Sequence, residues 1–240
     1  MSTRLRFWLI TLTALASFVI TLSLGRWQLS RAAEKEGLQA AIEAQGKRTM
    51  IDNAALIRAP DANALIHRIA KLRGTWAQER TVFLDNRQMN AKPGFYVLTP
   101  LLLEGTSAAV MVQRGWVARN FVDRGKVSAV PTPLGVVELE GRIAPPPSKL
   151  YEMGDTGSGL IRQNLDLVRF KAETGLPLMA VSIQQTGSAS EGLLREWPVV
   201  GPGSEKNYGY AFQWFGLSAL IAILYVWFQI GKRFFTKRRA

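Results

Sequence analysis

Tyr208–Ile230, YGYAFQWFGLSALIAILYVWFQI, runs for 23 residues without a charged side chain. At about 1.5 Å of rise per residue, a helix of that length covers about 34 Å, enough to cross the hydrocarbon core of a bilayer with slight tilt. Tyr208, Tyr210 and Trp214 crowd one end, Tyr225 and Trp227 the other, and rings with a polar handle favour the headgroup level. Lys232, Arg233, Lys237, Arg238 and Arg239 follow. A core helix of a soluble protein rarely stays uncharged so long with a basic stop behind it. The stretch predicts a membrane helix over 208–230 and a basic cytoplasmic tail over 231–240.

A second uncharged run, Phe7–Leu24 (FWLITLTALASFVITLSL), follows Arg4 and Arg6 near the other end of the chain. Ser23 and Gly25 resemble the small-x-small pair of a signal cleavage site. Eighteen apolar residues are long for a signal core, however, and Trp8 and Trp27 bracket the run as interface anchors would. An uncleaved helix over 7–24 is therefore expected, with residues 1–6 as a second cytoplasmic tail and 25–207 as an extracytoplasmic domain.

The charge distribution agrees with that topology. The chain of 240 residues carries 30 Lys and Arg against 18 Asp and Glu, a formal net charge of +12. Seven of the basic residues stand in the two tails, and every acidic residue lies between the apolar runs, where the excess is only +5. Basic residues beside membrane helices favour the cytoplasmic side. Nucleic-acid binding needs a basic stripe with stacking aromatics, which this scatter does not supply. The chain has no cysteine and one histidine, His67. That removes disulfides, thiolate nucleophiles and thiolate metal sites, and it leaves little for a triad or a histidine-rich metal centre.

Between the apolar runs the pattern changes twice. Gly25–Lys47 keeps a rough helical spacing of apolar residues, so the first helix is expected to continue outward as an amphipathic arm. A connector with loop character and one helical turn follows over 51–64. From there the period is two: 66–76, 81–87, 95–103, 108–117, 136–143 and 178–185 read as strands, with a hairpin around Gly105. Asp166–Thr174, ending at Gly175, reads as a short capped helix. The expected fold class is an α+β membrane protein, two transmembrane helices flanking a mainly-β domain built as a sandwich or small barrel.

Few residues offer chemistry. Asp155-Thr156-Gly157-Ser158 spells the DTGS of an aspartic protease, but that reaction needs two carboxylates sharing a proton, and the motif occurs once in a glycine-rich stretch. His67 is the one imidazole available as a metal or haem ligand, and a lone histidine at the start of a strand is more often neither. Arginine and tryptophan pair at Arg26-Trp27 with Arg31, and at Arg114-Gly115-Trp116. Arginine can stack on indole and can grip a carboxylate through its planar fork. The plainer readings are interface anchoring for the first group and core packing for the second.

Four ordered strings add to this. Gly25-x-Trp27-Gln28-x-x-Arg31, Pro93-Gly94-Phe95-Tyr96-x-x-Thr99-Pro100-Leu101, Val112-x-Arg114-Gly115-Trp116-Val117 and Tyr210-Ala211-x-Gln213-Trp214-Phe215 together resemble the signatures of the surfeit-locus-one (Surf-one, or Shy-one) family. With the two terminal helices they cover nearly the whole chain. The resemblance implies an assembly factor for haem-copper terminal oxidases, not an enzyme. Its implied role is chaperoning the maturation of cytochrome c oxidase subunit I alongside other assembly factors, in the bacterial inner membrane with the main domain periplasmic. It further implies transient haem a binding, with Arg26, Arg31 and Arg114 toward the propionates and Trp27 and Trp214 against the ring. Gln28, Trp116, Asn207 and Tyr210 complete the implied site. Haem binding in the family is tied to a histidine three residues before the tyrosine of the closing motif, and here that position is Asn207, a poor iron ligand beside imidazole. A scaffold for nascent subunit I without haem is the alternative, and a membrane-tethered protease the remote one.

Overall fold

The computed structural model describes residues 2–120, 122, 127, 129–151, 159–198 and 203–231. The DTGS string and the basic tail lie outside the described residues. The chain divides into two compact units, Met1–Ala40 with Val199–Ala240, and Ala41–Pro198.

The first unit is a helix pair. Helix α1 spans Thr3–Gly46 without a break, so the apolar run and the arm beyond it are one helix, as the spacing implied. In the C-terminal half, Ser204–Tyr225 forms a helix, here α4, and a wider π-helical turn follows over Val226–Gly231. It starts four residues before the uncharged run. Both α1 and α4 are long and apolar enough to cross a membrane, and in their most apolar windows only 6% and 11% of residues are buried.

The second unit is a sheet domain. After α2 (Asn53–Arg58) come seven strands: β1 Ile69–Trp76, β2 Val82–Met89, β3 Lys92–Leu103, β4 Ala109–Ala118, β5 Val136–Ala144, β6 Ile161–Arg162 and β7 Leu178–Gln185. Helix α3, Leu167–Thr174, precedes β7. The sheet runs β1-β5-β7-β4-β3-β2-β6, and β1 pairs with β3 as well. That extra pairing, Gly74 to Leu103 through Trp76 to Leu101, closes β1, β5, β7, β4 and β3 into a five-stranded circuit. Of the two expected architectures, the structure is the small barrel.

Alternation explains the core. Ala70, Leu72, Trp76, Leu101, Leu103, Val110, Val112, Leu139, Ile143, Val181 and Ile183 form one buried cluster, joined by Ile51 and Leu56. The intervening residues Leu98, Ala109 and Met111 join Leu84, Leu167, Phe170 and Leu178 in a second cluster under α3. Strand β4 is thus covered on both faces, which is why AVMVQRGWVA reads as nearly continuous apolar sequence. Burying each large aliphatic side chain contributes about 1.5–3 kcal/mol.

Strand ends depart from expectation where the backbone turns left-handed. His67 has φ 75°, so β1 starts at Ile69 and not at 66. Asn90 and Ala91, at φ 51° and 59°, make a two-residue turn, and Met89 pairs directly with Lys92. Pro93-Gly94, which reads as turn material, therefore lies inside β3. The two-residue β6 carries too little pattern to be seen in sequence.

Helix α3 is capped as the sequence implied. The Asp166 carboxylate accepts from the N–H groups of Val168 (3.0 Å) and Arg169 (3.2 Å), and Gly175 ends the helix at φ 70°. A hydrogen bond from Lys149, then that from Arg169, hold the Asp166 carboxyl below the usual range, and the Arg162 fork does the same for Glu173. Burial, then the nearby Arg142, lowers the His67 pKa. A depressed carboxylate stabilises the fold fully above its unfolded pKa and loses that contribution as pH falls through its folded value. A base with a lowered pKa begins to cost stability as pH falls below its unfolded value. The melting temperature is expected to start declining below about pH 6.5 and to fall more steeply below about pH 4. Asp166→Ala is expected to cost about 1 kcal/mol, mostly through the cap because the ion pair is solvent-screened, and to flatten the acid limb of a thermal-melt series.

Candidate functional site

Along α1 the buried and half-buried positions include 11, 14, 18, 21, 25, 28, 32 and 35, at alternating steps of three and four. On α4 the positions 207, 211, 214, 218, 221 and 225 repeat the same steps. This is the spacing of two helices packed along a coiled-coil-like seam, and the pairs across it run antiparallel. Thr11 Oγ1 lies 2.9 Å from Tyr225 Oη, and Thr21 Oγ1 lies 2.7 Å from Ser218 Oγ. Thr21 also has Ser17 O within 2.9 Å, and Ser218 has Trp214 O within 3.0 Å. One hydroxyl donates to its own helix while the other donates across, so both are satisfied without water. A Cβ added to Gly25 would sit 2.6 Å from the Phe215 ring. Gly25 opens the first family-like string and Phe215 closes the last, so their shared role is close helix contact.

Farther along, the seam turns polar. The Lys35 ammonium donates to Asn207 Oδ1 at 2.7 Å, the Asn207 amide donates to Gln28 Oε1 at 2.6 Å, and the Tyr208 hydroxyl donates to Glu36 Oε2 at 3.1 Å. Both ends of the Asn207 amide are engaged. Of the residues singled out by sequence, Gln28 and Asn207 are thus brought together, with Trp214 half-buried on the seam. Arg26, Trp27, Arg31 and Tyr210 lie on exposed faces, and Arg31 is paired with Glu34 on its own helix at 2.7 Å. Lys35, Thr21 and Ser218 were not singled out, although the three-four spacing marks them.

Arg114 and Trp116 belong to the sheet domain and are buried there. Val97 opposes Gly115 while Leu98 opposes Gln113, so Arg114 is the extra residue of a bulge in β4. Its side chain is fully buried, its guanidinium 4.7 Å from the Trp76 ring centre. It donates to Thr132 Oγ1 (2.8 Å), Pro131 O (3.0 Å) and Glu191 Oε2 (2.7 Å). Arg195 caps the Arg114 carbonyl at 2.9 Å. The Trp116 indole donates to Arg87 O at 2.9 Å and lies where a Cβ on Gly94 would be. Arg87 donates to Ser148 O (2.9 Å) and Gln163 O (3.0 Å), and burial lowers its pKa while raising that of Tyr96. Of the residues the resemblance turns toward haem, Arg114 has no exposed surface and is bonded to Glu191, and Trp116 is buried against Gly94. His67 contributes its N–H to Ile143 O at 2.7 Å, and no group of three His, Cys, Asp or Glu is placed to hold a metal among the described residues.

A family model described as the SURF1 family matches residues 15–219. A SURF1-like protein of Rickettsia bellii is 26% identical over 223 residues, which cover 89% of this chain and 88% of that protein. Surfeit locus protein 1 of Arabidopsis thaliana is 31% identical over 123 residues, 46% of this chain and 34% of its own length. Cytochrome oxidase assembly protein SHY1 of Saccharomyces cerevisiae is 26% identical over 104 residues, 43% of this chain and 27% of its own length. This chain therefore matches only about a third of the plant protein and about a quarter of the yeast one.

Two outcomes follow from the packing. Because the chain lacks cysteine, the double replacement Thr21→Cys with Ser218→Cys is expected to crosslink on oxidation, read as a mobility shift on a denaturing gel. Adding Gly25→Leu is expected to abolish the crosslink by driving Phe215 off the seam. Arg114→Ala leaves Glu191 with only the longer Arg195 contact at 3.9 Å and is expected to cost about 2 kcal/mol in thermal unfolding of the detergent-solubilised chain.

Proposed function

The chain belongs to the SURF1 family, and from that premise we propose that it assists cytochrome oxidase assembly by helping to mature subunit I. It does so as a scaffold working with other assembly factors and not as an enzyme. In this reading α1 and α4 span the bacterial inner membrane, both termini are cytoplasmic, and the sheet domain is periplasmic. The observation that carries it is the family match over 15–219, supported by a relative named as a cytochrome oxidase assembly protein. The motif residues support a scaffold: Gly25 admits Phe215, Gly94 admits Trp116 and Arg114 holds Glu191. Each is spent on rigid packing, which preserves the shape of a binding surface.

Haem a, implied by the family resemblance, does not fit position 207. An amide is a poor iron ligand, and this one is engaged at both ends by Lys35 and Gln28. A second reading, transient haem a carriage, is favoured only by Arg26 and Trp27, whose side chains are exposed on α1 and free to meet a propionate and a ring face.

Deleting the chain is expected to lower the haem a absorbance and the activity of the terminal oxidase in isolated membranes. An unchanged oxidase would overturn the assembly reading. Affinity purification from cells that make haem a separates the two readings: subunit I without a Soret band supports the scaffold, and a stoichiometric Soret band supports carriage.

A further inference from the structure

A groove of about 580 Å³ runs between α1 and α4 at the end of the pair remote from Asn207, reaching from Thr3 to Ala14. Its walls are apolar: Phe7, Ile10, Leu224 and Phe228. Its polar groups are different in kind. Arg6 is exposed and makes no ion pair among the described residues, and the Gln229 amide nitrogen is buried with no hydrogen-bond partner among them. An exposed guanidinium with no ion pair among the described residues, at the mouth of an apolar trough, is a donor for an anionic oxygen group such as a phosphate. An apolar trough joined to such a donor matches one chemistry, an amphiphile with an anionic head.

The dimensions agree. The eleven steps of helix from Thr3 to Ala14 rise about 16 Å, close to half of a hydrocarbon core about 30 Å thick. The groove volume lies within the range of small-molecule sites, about 300–1,000 Å³. An acyl chain that follows the groove ends near the bilayer centre while its head stays beside Arg6. The leaflet on that side, facing the basic tails, is the one rich in anionic lipid.

We propose that this groove is a binding site for one anionic phospholipid, its phosphate held by the exposed Arg6 at the mouth and one acyl chain lying along Phe7, Ile10, Leu224 and Phe228. The proposal rests on the membrane reading given above. The site is distinct from the polar clasp at Asn207 and from the packing of the sheet domain.

The test uses the full chain in nanodiscs of equimolar phosphatidylglycerol and phosphatidylcholine, with retained lipid counted by native mass spectrometry after mild detergent release. Phosphatidylglycerol is expected to be retained roughly fivefold over phosphatidylcholine. Arg6→Gln is expected to bring the two lipids to equal retention, and Arg6→Lys to keep most of the preference. Ala14→Phe fills the trough without altering charge and is expected to reduce retention of both lipids. Equal retention by the unaltered chain, or an unchanged ratio in Arg6→Gln, would overturn the proposal. A photoreactive group at Ile10 that couples to a second polypeptide in native membranes, and not to lipid, would overturn it too. A chain that incorporates fully without lipid preference sinks this proposal alone. A chain released from membranes by alkaline carbonate sinks the membrane reading with it.

Discussion

Phe215 occupies the space where any side chain at position 25 would begin, and the first unit depends on that contact. In the membrane reading proposed above, the two helices gain nothing from burying apolar surface against each other, and they associate through close van der Waals contact and a few hydrogen bonds. Both require small residues where the axes come nearest. Gly25 supplies the approach, Ala32, Ala211 and Ser218 extend it, and all four are buried. Only at that separation can Thr21 and Ser218 meet at 2.7 Å. A larger residue at 25 would cost the ring contact and the hydroxyl pair together.

The sheet domain solves the opposite problem, that of closing a barrel around a charge. Arg114 continues the inward alternation of Val110 and Val112, so its stem enters the interior where Trp76 lies. The bulge takes the backbone out of register there, and Glu191, Thr132 and the Pro131 carbonyl satisfy the fork. Breaking a buried pair is costly even where forming it contributes little net stability. An arginine so placed therefore fixes the loops that carry its partners. Arg87 does the same for the segments at Ser148 and Gln163.

Much of this is legible from periodicity. The strands 136–143 and 178–185 and the capped helix ending at Gly175 were readable because alternation and cap chemistry are local. What misled was backbone conformation that composition does not encode. Ala91 at φ 59° is a residue seldom found there, and it moves Pro93-Gly94 from turn into strand. Partner geometry was also invisible. Arg114-Gly115-Trp116 reads first as core packing and second as a ligand grip, and only the location of Glu191, 77 residues away, shows where the guanidinium is bonded. The helix seam lay within reach, since Thr21, Gly25, Gln28 and Lys35 are three and four apart, but two long apolar runs draw attention to length and away from faces.

The polar groups of the seam also form a series. From Thr11 to Thr21 they are hydroxyls that bond across the pair and back to their own helix; at Gln28 and Asn207 they are amides; at Lys35 and Glu36 they are charged. The cost of burying these groups away from water rises in the same order, from hydroxyl to amide to ion. In a membrane-spanning pair, that order places the hydrocarbon boundary between positions 21 and 35 of α1, and Trp27 and Tyr210 stand in that interval on exposed faces as interfacial rings would. On that reading Asn207 lies where water and headgroups begin, and its bonds to Lys35 and Gln28 make it a clasp between the helices. A ligand there would have to displace both bonds before using the amide, so binding at this edge would come through the exposed faces of Arg26 and Trp27 with the clasp intact.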